Sequence, residues 1–122
     1  MNYIDGFALP IVKEHLEEYK AAAQEVAEIY KEYGALAYYE FLGDDLYLEG
    51  TRAFPECLGA TENDVVVFGW IVYNSKEERD LANEKVASDP RMPGLIDPLM
   101  NPSRMVFDPS KMAFGGFRSF IQ

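Results

Sequence analysis

Nine consecutive apolar residues, Val65 to Tyr73, constrain this chain more than any other stretch. The run Val-Val-Val-Phe-Gly-Trp-Ile-Val-Tyr is rich in β-branched and aromatic side chains, and it is too short for a long helix or a membrane span. It predicts a strand buried on both faces, because neither alternate set of side chains is polar. Val65, Val67, Gly69, Ile71 and Tyr73 fall on one side; Val66, Phe68, Trp70 and Val72 fall on the other. The chain's own helices can cover one face. Something else must cover the second.

The flanking sequence supplies those helices and three further strands. Tyr3 to Leu9 reads as a first strand that Pro10 should stop. From Lys13 to Tyr33, the residues Leu16, Tyr19, Ala23, Val26 or Ala27, Tyr30 and Tyr33 recur every three or four positions among glutamates. That spacing predicts an amphipathic helix, and Gly34 suits its left-handed end. Ala35 to Leu42 reads as a second strand. Asp44 to Asp64 gives little signal, with Phe54-Pro55 and Gly59 indicating loop: a functional or partner-covering excursion, or a hairpin. Ser75 and Glu78 form a capping box that opens a second helix. This helix buries Ala82 and Val86 and ends near Ser88, before Asp89-Pro90. Prolines 93, 98, 102 and 109 punctuate a loop with a short helical turn near Leu95, and Gly115 to Ile121 reads as a last strand entered through a bulge.

The order strand, helix, strand, strand, helix, strand predicts an α+β, ferredoxin-like βαββαβ domain over residues 1–122. Its four-stranded antiparallel sheet has the first and third strands central and both helices on one face. The other face is most economically covered by the same face of a second copy, giving a homodimer. With 11 basic against 21 acidic residues, the net charge is −10, which repels phosphate backbones and anionic lipid. Neither nucleic acid nor membrane is expected as a partner. A single cysteine, Cys57, points to a reducing compartment, and the first residues lack a signal-peptide pattern, so a cytoplasmic protein is expected. The single His15 has no second histidine to pair with, Asp44-Asp45 and Glu77-Glu78 lack calcium-loop spacing, and Gly115-Gly116 lacks a following helix. No metal and no cofactor is expected.

Two central glycines, Gly6 and Gly69, suggest a smooth surface on which helices can lie, together with Ile4, Ala8, Val67 and Ile71. Tyr3, Asp5, Phe7, Phe68 and Trp70 would then face the second sheet. Glu40 and Arg118 are assigned to that side because a charge is hard to seat beneath a helix, and Tyr38 follows Glu40 by parity. The resulting set is Asp5, Tyr38, Glu40, Trp70 and Arg118. One reading makes it a ligand cavity, with Asp5 or Glu40 as acid–base carboxylate and Tyr38, Trp70 and Arg118 as lining. The other pairs Glu40 with Arg118 across the dimer and lets the aromatics pack.

Asp5-Gly-Phe7, Gly34-Ala-Leu36 with Tyr38 and Glu40, Phe54-Pro55 and Trp70-Ile-Val-Tyr73 together resemble the YbaA-like bacterial proteins of unknown function. Arg79-Asp80, Asn83, Lys85-Val86, Asp89-Pro-Arg91, Phe107-Asp108, Met112 and Gly115-Gly-Phe117 extend the resemblance over nearly the whole chain. The Asp44 to Asp64 loop departs from the lysine-rich version of that family. The resemblance implies a ferredoxin-like domain forming a dimeric α+β barrel, and it brings no catalytic residue with it. Barrels of this superfamily include cofactor-free monooxygenases, small-ring isomerases and haem-degrading enzymes. The last would need an axial histidine on the second helix, where this chain has none. The expectation is a homodimeric module that binds a small molecule or serves assembly without catalysis; the alternative is a cofactor-free enzyme of monooxygenase or isomerase type.

Overall fold

The computed structural model describes residues 2–122. Four antiparallel strands, β1 (Tyr3–Val12), β2 (Ala37–Leu42), β3 (Asp64–Tyr73) and β4 (Ala113–Arg118), form one sheet in the order β2-β3-β1-β4. The expected architecture is therefore present, with the first and third strands at the centre. They pair along their whole length, from Tyr3 opposite Tyr73 to Val12 opposite Asp64.

One face carries helix α1 (Leu16–Glu32), entered through a 3-10 turn at Lys13–His15, with α3 (Lys76–Ala87) and α4 (Met92–Ile96) beside it. The buried core lies there: Phe7, Leu9, Ile11, Val67, Ile71 and Tyr73 of the sheet meet Ala82 of α3 together with Leu99, Val106 and Phe107. Leu16, Tyr19, Ala22 and Tyr30 of α1 close over them. Burial of this apolar surface is what holds the layers together. The Ser75 hydroxyl accepts the amide of Glu78 at 3.2 Å and starts α3 at the expected residue. Gly34, at φ +113°, turns the chain out of α1, and Leu36 then donates to the Val72 carbonyl at 2.7 Å.

Four local readings are corrected. β1 runs through Pro10 to Val12, because β4 pairs with it only as far as Ala8. Beyond Ala8 the strand has one sheet neighbour, the setting in which proline is tolerated. β2 begins at Ala37, since Ala35 is still tied to the Tyr30 carbonyl at the helix end. β4 pairs in an unbroken ladder without a bulge and ends at Arg118, leaving Phe120 and Ile121 exposed.

The fourth correction concerns the loop. It contains a short helix, α2 (Phe54–Leu58), with Pro55 in its first turn and Gly59 at φ +65° ending it. Leu58 packs on Ala8 and Val66, joined by Leu46 and Ala60, and Phe54 meets Phe68 edge-on at 5.8 Å. The loop therefore covers one end of the face turned away from α1 and α3. At the other end, Ile4, Gly6, Phe68, Trp70 and Phe117 line an open groove of about 610 Å³. Among the described residues no helix is long and apolar enough to cross a membrane.

Candidate functional site

Directly paired residues share a face of a sheet. The register therefore puts Asp5 beside Ile71, Phe7 beside Gly69, Tyr38 beside Ile71 and Glu40 beside Gly69, all beneath the helices. This overturns the expected placement of Tyr3, Asp5, Phe7, Tyr38, Glu40 and Arg118 on the second face, Arg118 standing opposite Tyr3 on the helix side. It also overturns that of Ile4, Gly6 and Ala8 under the helices. A charge can be seated beneath a helix when the helix supplies its partner, and here both carboxylates find one.

Asp5 is fully buried. Arg79 of α3 donates through Nε to its Oδ1 at 2.9 Å, and Asn83, one turn on, donates to Oδ2 at 3.2 Å. The Arg79 guanidinium also reaches Asp80 at 2.7 Å and lies over the Tyr3 ring, 5.1 Å from its centroid. Gly116 of β4 makes room for this group, since a Cβ there would collide with both Arg79 and the Tyr3 hydroxyl. Both carboxylate oxygens of Asp5 are engaged and its charge is neutralised.

Glu40 has different company. The Tyr19 hydroxyl of α1 donates to Oε1 in a short hydrogen bond, and the Tyr38 hydroxyl donates to Oε2 at 2.8 Å. Gly69 opposite leaves space for the Phe7 ring, which a Cβ would strike. Burial pushes the Glu40 carboxyl above its ordinary value, and the two tyrosine hydrogen bonds only partly offset this. Burial and the adjacent Glu40 charge in turn push both tyrosines well above their usual range, so they remain donors at any physiological pH. Among the described residues, no cation neutralises Glu40.

Two spaces meet at this carboxylate. An inner cavity of about 200 Å³ lies between sheet and helices, walled by Phe7, Tyr30, Leu99, Phe107 and Met112. An outer groove of about 430 Å³ runs along α1 past Leu16, Lys20 and Leu42. Tyr19, Ala23, Tyr38 and Glu40 border both, and Glu40 is the one carboxylate lining the inner cavity. The arrangement offers a small molecule an aromatic pocket with one carboxylate at the junction of the two spaces.

The five residues proposed from sequence are thus divided. Tyr38 and Glu40 come together; Asp5 is bound to α3. Trp70 lies on the opposite face as expected, half-buried, stacked on Phe41 at 5.3 Å and beside Tyr39 and Phe68. Arg118 is exposed at the end of β4, the sheet edge opposite β2, and Glu40 turns beneath α1 instead of toward the open face. Tyr19, Tyr30, Arg79 and Asn83 were missed. Their signal lies in the helices: polar side chains inside an otherwise apolar stripe require buried partners. The Asp89-Pro-Arg91 turn is held by local bonds. Arg91 donates to Asp89 from its amide at 2.8 Å and from its side chain, while Tyr33 donates at 2.7 Å.

Residues 2–109 match the family described as protein of unknown function (DUF1428). The uncharacterised protein YbaA of Escherichia coli (strain K12) is 39% identical over 121 residues, covering 99% of this chain and 98% of that one. YbaA of Shigella flexneri matches to the same extent. Among solved structures, a mutant of SnoaB, a cofactor-independent oxygenase from Streptomyces nogalater, superposes with a TM-score of 0.60 at 11% identity, covering 98% of this chain and 95% of that one. An uncharacterised NIPSNAP domain protein from Burkholderia xenovorans gives 0.56 at 13% identity, with 97% and 94% covered. At these identities the likeness to the solved structures is one of fold.

Proposed function

The chain belongs to the DUF1428 family of proteins of unknown function, and on that premise we propose that it is a small-molecule-binding domain whose ligand sits between α1 and the sheet, beside Glu40. The observation that carries this reading is a half-buried carboxylate without a cation at the junction of a cavity and its groove. A purely structural carboxylate would be expected to resemble Asp5, with a guanidinium alongside to neutralise it. Pockets of this size and apolarity, with a few convergent polar groups, are where small molecules bind.

A second reading is favoured by the raised pKa of Glu40. A carboxylate tuned upward is a better proton acceptor near neutral pH, which suits a cofactor-free enzyme in which Glu40 takes a proton from bound substrate. SnoaB, which shares the fold, is itself described as a cofactor-independent oxygenase.

The proposal includes a homodimer formed through the face bearing Phe68, Trp70 and Phe117, and a cytoplasmic setting consistent with the single cysteine. Phe68 is 43% and Phe117 60% exposed on that face, more contiguous apolar surface than a monomer ordinarily leaves open. Native mass spectrometry of the freshly purified protein tests both parts. The expected result is a dimer whose retained small molecule is lost in an Ala23→Trp variant, which fills the boundary of the two spaces. Retention of the same molecule by that variant would place the site elsewhere.

A further inference from the structure

We propose that the ligand of the Glu40 cavity is a small organic amine, bound as its ammonium ion with a single ring in the inner cavity; the inference rests on that cavity being a ligand site. The hydrogen-bond inventory is the first argument. Tyr19 and Tyr38 each have one O–H, and both are spent on Glu40. At Glu40 the cluster still offers only acceptor lone pairs, so the ligand group that meets Glu40 must be a donor; the Tyr30 hydroxyl, also on the cavity, is left for a second polar group.

The second argument is charge. Glu40 is the one carboxylate lining the inner cavity; the Arg79 guanidinium is already committed to Asp5 and Asp80, and Lys20, which lines only the outer groove, makes no ion pair with Glu40. An ammonium would complete a charge that the chain itself leaves open. The cavity walls agree with this. Tyr30 and Tyr38 lie with ring centroids 5.7 Å apart, Phe7 and Tyr38 6.2 Å apart, and Tyr19 meets Phe107 edge-on at 6.3 Å. Aromatic faces carry the negative end of the ring quadrupole and attract organic cations. A net charge of −10 further concentrates cations around the molecule and repels carboxylates and phosphates.

Size fixes the rest of the class. An apolar cavity of about 150 Å³ is known to take benzene, so about 200 Å³ accommodates one ring with a short substituent. A neutral alcohol could donate to Glu40 but would leave its charge uncompensated and gain nothing from the ring faces.

Calorimetric titration with benzylamine, benzyl alcohol and benzoate, on the wild-type protein and on Glu40→Gln, tests the assignment. Benzylamine should bind the wild type at least about tenfold more tightly than benzyl alcohol, as expected for one charge-assisted contact, and benzoate least tightly. Glu40→Gln should abolish the preference for the amine while changing alcohol binding little. Equal binding of amine and alcohol by the wild type, or an amine preference that survives in Glu40→Gln, would overturn the amine inference yet leave the cavity a ligand site. Failure of all three compounds at millimolar concentration would overturn both. Should the variant not fold, the wild-type Glu40 carboxyl followed by carbon NMR still decides: saturating benzylamine must lower its titration midpoint, and an unchanged midpoint refutes the contact.

Discussion

Asp5 and Glu40 occupy comparable positions, each on a strand, each beneath a helix, each reached by side chains from that helix. Yet α3 gives Asp5 a guanidinium and an amide, whereas α1 gives Glu40 a single phenol, with a second from Tyr38 on its own strand. Asp5 lies in a closed network that joins β1, β3 and α3 through Arg79, Asn83 and Tyr73, with Gly116 of β4 leaving room for it. Glu40 lies at the meeting point of two spaces with no cation beside it. The contrast separates a carboxylate that holds the fold from one that the fold holds ready.

Removing the anchoring carboxylate gives the largest expected effect. Asp5→Ala leaves the Arg79 guanidinium with the exposed Asp80 as its one remaining carboxylate and the Asn83 amide without its acceptor, and should cost about 3–5 kcal/mol of unfolding free energy in urea. The double variant with Arg79→Met should recover part of that loss, because no guanidinium is then left without its buried partner. A loss under about 1 kcal/mol for Asp5→Ala would mean that the network is not holding α3.

A pair of glycines sharpens the same comparison at smaller scale. Gly116→Ala pushes a Cβ into Arg79 and Tyr3 and should cost about 1–3 kcal/mol. At Gly115 the nearest atom, of the Phe117 ring, is 3.9 Å from a Cβ, and Gly115→Ala should stay within about 0.5 kcal/mol. Equal effects would remove the reason for a glycine at position 116.

Glu40→Gln should have the smallest effect and the opposite sign. The folded-state pKa of Glu40 is raised, so the folded protein binds more protons than the unfolded chain above pH 4.5. The carboxylate therefore costs stability increasingly as pH climbs through the raised value, and below pH 4.5 that cost vanishes. Thermal melts should show Glu40→Gln equal to or slightly more stable than wild type at pH 7, with the difference closing in acid. A variant clearly less stable at pH 7 would mean that Glu40 is structural like Asp5.

These two sites also show which parts of the structure are legible in a sequence. The strand at Val65 and the cap at Ser75 carry their own local signal, and so does the Gly34 exit from α1, so element order and sheet topology followed. The facing of β1 did not. Its two alternate sets are both apolar apart from Asp5, and parity rests on Gly6 and Gly69 forming one smooth seat for helices, yet the register sets Gly6 opposite Trp70 and Gly69 opposite Phe7, on different faces. The premise that a charge avoids the helix side fails as well: Arg79, 74 residues from Asp5, supplies the partner there. It stands with Asn83 in the stripe of α3 that also buries Ala82 and Val86. Tyr19 stands likewise in the stripe of α1. Reading polar residues within a buried stripe as partners awaiting a carboxylate would have placed both sites correctly. The helix α2 was hidden for another reason: five residues give too short a pattern to show a period.

The central claim is that Glu40 is half-buried without a cation, and carbon NMR titration of its carboxyl tests this most directly. The account predicts a midpoint above the ordinary 4.5, moving higher still in Tyr19→Phe and Tyr38→Phe variants that each remove a donor to the carboxylate. A midpoint at or below 4.5 in the wild type would contradict it. Glu40 would then be solvated or paired with a cation, such as Arg118 of a second copy, and would be no more poised than Asp5.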